Sequence, residues 1–331
     1  IRAGARVAER CPAYWLLFPV RNLVTIRDNA GFRPARYARC TDKGGRMFLI
    51  VGYVIILAAA LGTYAVHGSL AALWVPLEYI AIVGLTIGGF VAANDIKIIK
   101  STVAALPGIF KGSKFTRALY VDLLAMLFEV LAKVRKEGLM SIENDVENPH
   151  DSPIFSKYPA LANDHHVMEF ITDYLRMMVG GNLNAIEIES LMDIEIETHH
   201  HEAETPGHVM SKVGDAVPAF GIIVAVMGVV NVMGSVGEPP AVLGKMIGGA
   251  LVGTFLGILI AYGFVAPVAS LLEQKAQDGA KIYQVIKVVL LASMSGYAPQ
   301  VAVEFGRKTL VAGVRPTFRE LEEELKSRKG K

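Results

Sequence analysis

Long runs without a charged side chain alternate with densely charged ones along this chain. Residues 48–66, 79–94, 216–237 and 246–272 contain no Asp, Glu, Lys or Arg. About 20 apolar residues cross a bilayer as a helix, so the pattern predicts four transmembrane helices, the second completed by its flanks. Between the second and third, apolar residues return at helical spacing. Leu119, Leu123, Leu127, Val130, Leu131 and Val134 mark one face of an amphipathic helix that Gly138 ends. Thr317 and Glu320, just after Pro316, form a capping box that opens a short charged helix. Neither a strand pattern nor a Gly-rich phosphate loop is present. The expected fold class is an all-α membrane protein with four transmembrane helices and a large helical cytoplasmic loop between spans 2 and 3. That loop is expected to extend spans 2 and 3 as a helical hairpin.

Composition agrees. Of 331 residues, 53% are hydrophobic and 19% charged, against about 25% charged in a typical soluble domain. The net charge of +2 says less than its distribution. Lys97, Lys100, Lys111, Lys114 and Arg117 follow the second span, with no acid between 96 and 121. Basic residues beside a span mark the cytoplasmic side. The short links near 67–73 and 236–243 carry only Glu238 as a charge and are expected outside. The chain divides into 47–96 (transmembrane helices 1 and 2), 97–212 (cytoplasmic helical domain), 213–272 (transmembrane helices 3 and 4) and 273–331 (cytoplasmic tail). Both termini are then cytoplasmic.

Segment 1–46 stands apart. It holds ten Lys/Arg, three acids and both cysteines, Cys11 and Cys40, and begins with Ile. No small-residue cleavage site follows its short apolar patch, so it does not fit a signal peptide. It is expected to be an untranslated leader ahead of a start at Met47, with a basic extension as the alternative. From Met47 onward there is no cysteine, which excludes disulfides and thiolate metal sites there.

Candidate chemistry is sparse. Glu195, Glu197, His199, His200, His201 and Glu202 are metal-ligand types. Consecutive helical residues point about 100° apart, however, and HExxH spacing is absent, so a solvated acidic helix is expected and no metal or cofactor. Glu78 and Asp215 sit near span ends, as interface anchors or functional groups. Pro218 and Pro267 lie within spans 3 and 4 near their cytoplasmic ends, where each removes a helix hydrogen bond and kinks the helix. Gly249, Gly253, Gly257 and Ala261 recur every four residues in span 4, a stripe that lets helix backbones approach; Thr254 lies beside it. No span carries an acid or base in its interior. An ion-driven machine built on this chain must borrow its titrating group from a membrane partner.

Several longer motifs carry a resemblance. Val213-Gly-Asp-Ala-Val-Pro-Ala-Phe-Gly221, Val252-Gly-Thr-Phe-Leu-Gly257, Ala261-Tyr-Gly-Phe-Val-Ala-Pro267 and Gly296-Tyr-Ala-Pro-Gln-Val-Ala-Val-Glu-Phe-Gly-Arg-Lys308 resemble the MotA stator proteins of the flagellar motor. These form part of the MotA/TolQ/ExbB proton channel family. Glu147-Asn-Pro149 and Leu191-Met-Asp-Ile-Glu-Ile-Glu-Thr198 add to the likeness, which runs from about Met47 to Lys326. It implies a non-enzymatic stator subunit in the bacterial inner membrane. Five copies would ring a MotB dimer that supplies the proton-binding aspartate and the peptidoglycan anchor. It implies that proton flow drives torque on the rotor protein FliG. By motif position, Arg135 and Glu143 engage FliG, with Lys133 and Lys136 adding to the patch. Pro218 and Pro267 couple ion flow to movement, and Thr254 lines the proton path. Sodium-driven relatives carry threonine where this chain has Ala225, which implies proton drive. No nucleic-acid partner is expected. The alternatives are an ExbB/TolQ-type energy-transducing ring, expected to have three spans, a membrane metalloenzyme using the histidine tract, and a passive membrane scaffold.

Overall fold

A computed structural model describes residues 44–110, 112–181 and 184–329. The expectation of a leader concerns residues that, up to 43, lie outside this range. Among the described residues all regular elements are helical. Helix α1 spans Gly44–His67 and α2 spans Pro76–Ala93, joined through a 3₁₀ turn at Leu70–Leu73. Pro76 stands in the first turn of α2, where its missing N–H costs nothing. Asn94 then adopts extended backbone and ends α2, while its Nδ2 donates to the Phe90 carbonyl at 2.7 Å. Helix α3, Ile96–Ile109, starts afresh. Its Ile109, Ala105 and Leu106 pack with Leu49 and Tyr53 of α1.

Helix α4, Arg117–Glu137, is capped as its sequence specifies. Thr116 Oγ1 accepts from the Leu119 N–H, and Gly138 ends the helix at φ 87°, a left-handed value that glycine adopts without a Cβ clash. Short helices α5 (Glu143–Glu147) and α6 (Pro159–Ala162) lead into α7, His165–Gly180. Helix α8 then runs unbroken from Ala185 to Met233, 49 residues, opened by a reciprocal box between Asn184 and Glu187. At 1.5 Å per residue it is about 74 Å long, more than twice a hydrocarbon core of about 30 Å. Helix α9 (Pro240–Ile260), a π-helical turn (Ala261–Val265) and α10 (Ala266–Met294) make a second long rod. Helices α11 (Pro299–Thr309) and α12 (Phe318–Lys329) close the chain.

Four stretches are long and apolar enough to cross a membrane: Met47–Val66, Leu70–Ala93, and parts of Ala185–Met233 and Pro240–Met294. The expected hairpin on spans 2 and 3 is corrected here. The break at Asn94 ends span 2, whereas α8 and α10 continue side by side beyond their apolar stretches and carry the extramembrane domain. Its core joins α4, α7, the base of α8, the end of α10 and α11 through Leu123, Leu127, Ile171, Met192, Ile286 and Val303. Each fully buried leucine contributes about 1.5–3 kcal/mol. Leu124, Ala125 and Met126 are buried as well, because α6, α10, α11 and α12 surround α4.

Polar ties fix the packing. Tyr174 Oη of α7 donates to Glu195 Oε2 at 2.6 Å; burial and that bond hold the phenol far above its usual range. Lys287 of α10 donates to Asp193 at 2.7 Å. The acidic segment of α8 is therefore partly a bonded seam rather than wholly a solvated face. Arg307, buried in α11, forks onto Glu304 at 2.7 and 2.6 Å and donates to the Pro316 carbonyl at 2.9 Å, pinning the link to α12. The hydrogen bond from Arg307 holds the Glu304 carboxyl below its usual range. The Thr317–Glu320 capping box is present in both directions, and Glu320 also pairs with Arg117 of α4.

Candidate transmembrane coupling site and charged tip

Where α8 meets α9 the two backbones touch. A Cβ on Gly257 would lie 2.9 Å from Gly221 Cα and 3.1 Å from the Val217 carbonyl oxygen. A Cβ on Gly221 would lie 2.7 Å from the Gly253 oxygen, and one on Gly228 would lie 2.6 Å from Ala250 Cβ. The small-residue stripe thus divides. Gly253 and Gly257 face α8 within the subunit, while a Cβ on Gly249 would meet nothing within 4 Å. Ala225 is buried at this contact, its N–H nitrogen 3.4 Å from a Cβ built on Gly253. Thr254, the next residue on α9, is half-buried. Ile82, Val217, Val224, Val252, Leu256 and Ala261 pack around the contact, and all are apolar.

The helix turns that precede the two membrane prolines pack on one another. Pro218 has no N–H to give to Gly214, four residues back. Gly214 itself lies against the other rod: a Cβ there would be 3.4 Å from Val265 Cγ1 and 4.0 Å from Ala266 N. Those residues immediately precede Pro267. The π turn is closed by the Ala266 N–H donating to the Ala261 carbonyl. An extra residue in the turn absorbs the mismatch that Pro267 introduces. Tyr53 of α1 caps this defect, its hydroxyl donating to the Phe264 carbonyl at 3.0 Å and its ring 4.9 Å from the Phe264 ring. Nothing in the residue pattern singles out Tyr53, although a tyrosine inside an apolar span needs a partner for its hydroxyl. Asp215 is exposed beside this zone. Glu78 lies in the first turn of α2, far along the span, with Oε2 unpartnered among the described residues.

At the other end of the molecule Arg135 and Lys136 are exposed in the last turn of α4, and Glu143 is exposed at the start of α5. The connecting turn presents Leu139 and Met140 to solvent. The structure thus brings Arg135 and Glu143 to one tip without pairing them among the described residues. Arg135 Nη1 reaches the Gly296 carbonyl at 3.5 Å, beside a groove of about 690 Å³ lined by Phe128, Ala132, Lys136, Lys157, Pro299 and Leu325. Lys133 behaves differently. Its Nζ lies 2.7 Å from Asp145, a buried carboxylate that also accepts from Ser152 Oγ at 2.7 Å. Lys133 therefore holds the tip together rather than displaying charge on it.

The histidine tract splits as its spacing predicts. His199 packs on His166 and Tyr283 at 5.5 and 4.9 Å between rings, His200 turns to Glu204 at 3.1 Å, and His201 is exposed. Among the described residues no group of three or more His, Cys, Asp or Glu is arranged to hold a metal ion.

A family model described as Motility protein A N-terminal matches residues 50–138, and one described as the MotA/TolQ/ExbB proton channel family matches residues 162–285. The chain is 50% identical over 282 residues to Motility protein A of Escherichia coli K12, covering 85% of this chain and 96% of that one. It is 48% identical to the Salmonella typhimurium protein of the same name over the same shares. Among solved structures, the flagellar MotAB stator complex from Bacillus subtilis superposes with a TM-score of 0.64 at 25% identity, over 83% of this chain and 98% of that one. C. jejuni MotAB, at 20% identity and a TM-score of 0.65 over 80% and 96%, shares the fold.

Proposed function

This chain belongs to the MotA family within the MotA/TolQ/ExbB proton channel proteins, and from that premise we infer that it is a stator subunit of the bacterial flagellar motor. With MotB it forms a proton-conducting membrane complex that converts proton flow into torque. The finer assignments are our proposal. Lys97, Lys100, Lys114 and Arg117 beside span 2 support an inner-membrane orientation with cytoplasmic termini. Copies of the chain, five by family likeness, ring a MotB dimer whose aspartate is the titrating group absent from these spans. The tip carrying Arg135, Glu143 and Lys136 works against charges on FliG, and Thr254 and Ala225 flank the proton path.

The observation that carries this reading is that Gly214, four residues before Pro218, packs on Val265 and Ala266, just before Pro267, where two rods that continue into the extramembrane domain touch. Protonation of a partner carboxylate removes a buried charge and changes the packing it demands of α8 and α9. The two proline zones are the points where these rods yield with least loss of hydrogen bonding. Displacement there is carried along α8 and α10 to the tip. One charge crossing about 100 mV releases roughly 2.3 kcal/mol, so the movement must be a small shift between packed states.

The test is expression in a motile bacterium lacking its own MotA, with the matching MotB. Swimming is expected to return, and the chain is expected to co-purify with MotB. Pro218→Leu should keep co-purification and abolish rotation. Rotation by that variant would remove the coupling role, and failure to capture MotB would overturn the assignment.

A further inference from the structure

Below the membrane, α8 has a weak point that the stator reading does not use. Pro206 lies inside the helix and cannot donate to the Glu202 carbonyl. Gly207 follows, and here α8 lies hard against α10: a Cβ on Gly207 would lie 2.7 Å from Glu273 Cγ and 3.1 Å from Glu273 N. A chain of ionisable groups straddles this contact. Glu204 lies between two histidines one turn away on either side, with His200 Nε2 at 3.1 Å and His208 Nε2 at 3.7 Å. The other ring nitrogen of His208, Nδ1, faces Glu273 Oε1 of α10 at 3.8 Å.

We propose that His208 is a proton-responsive clamp between α8 and α10, a positioning residue that sets how firmly the two rods are joined across the Pro206–Gly207 weak point. The chemistry follows from the ring. A neutral imidazole carries no charge and at these separations holds neither carboxylate. An imidazolium is a cation with an N–H on each nitrogen and attracts Glu204 and Glu273 together. Deprotonation also leaves two carboxylates across a helix contact with less cation between them. Histidine is the side chain whose ordinary titration falls between pH 5 and 8. His200 reinforces the same sense from the other side of Glu204.

Other charges do not substitute for this bridge. On α10, Lys275 is turned to the Gly108 carbonyl of α3 and Lys281 to Gln284 at 2.7 Å. From α3, residues 101–109 carry no titratable side chain. From α7, His166 reaches His199, further down α8. On α8 itself, Glu202 and Lys212 are exposed. The His208 side chain is 57% exposed, so replacing it empties no core.

The clamp rests on the stator reading only for its effect on torque. The deciding measurement, amide hydrogen exchange of the purified full chain corrected for the intrinsic rate, does not. In the native protein, exchange over residues 200–212 is expected to quicken several-fold between about pH 6 and pH 8. His208→Gln should exchange at the fast level at both pH values, and His208→Arg, a permanent cation with several donors, at the slow level at both. Identical pH dependence in the native and Gln forms would overturn the proposal, as would an Arg form indistinguishable from Gln. In cells, rotation speed should depend on cytoplasmic pH differently in the Arg variant than in the native motor.

Discussion

Lys133, Arg135 and Lys136 are interchangeable in a reading of charge along the chain, yet they do different things. Lys133 lies against Asp145, whose side chain is only 4% exposed, while Arg135 stands in solvent with one long contact to a carbonyl. Removing one member of a buried pair strands the other, at about 3–5 kcal/mol. Lys133→Ala should therefore cost about 3 kcal/mol, the low end because Lys133 itself keeps some water and Ser152 still bonds Asp145. Arg135→Ala should change stability by no more than about 0.5 kcal/mol while lowering torque. Thermal unfolding of the purified complex beside bead rotation separates the two, and equal destabilisation by both would contradict the assignment. The distinction was not legible in the sequence, because it depends on Asp145, twelve positions along, in a segment with no periodic pattern. Arg135 and Glu143 came from motif likeness alone. The structure adds that both are exposed at one tip.

Helices were more legible than their pairings. The end of α4 at Gly138 and the capping box at Thr317 follow from local chemistry, and both form as the sequence indicates. The glycine stripe announced close backbone approach without naming the partner, since a small residue permits contact but does not choose it. Only the structure shows Gly257 against Gly221 and leaves Gly249 open. Nor was the π turn legible, because it is a response of the rod to Pro267 combined with a hydroxyl arriving from Tyr53. The side chain of Gly257→Val must push apart two backbones already in contact, and overpacking of this kind costs typically 1–3 kcal/mol. The expected result is a marked fall in folded protein recovered from membranes, read by size-exclusion chromatography in detergent. Gly249→Ala should leave recovery unchanged. Equal recovery of the two variants would show that the α8–α9 contact tolerates separation.

At the scale of the molecule, four apolar spans whose acids, Glu78 and Asp215, lie towards their ends constrain what the assembly can carry. The α8–α9 contact is lined by glycine backbone and aliphatic side chains. Ala225, buried within it, supplies no side-chain oxygen, and Thr254 supplies one hydroxyl. A sodium ion stripped of water needs several oxygen ligands, as hard cations in general do. A proton needs only a carboxylate to receive it and water to deliver it. The rods α8 and α10 run from this zone into the extramembrane domain. Motility driven by this chain and its MotB should accordingly follow the proton gradient. A protonophore at constant sodium should stop rotation, and a tenfold change in external sodium at constant proton gradient should leave speed unaltered. Rotation that tracks sodium would require oxygen ligands that the partner alone would have to provide, and would remove Ala225 as the determinant of ion choice.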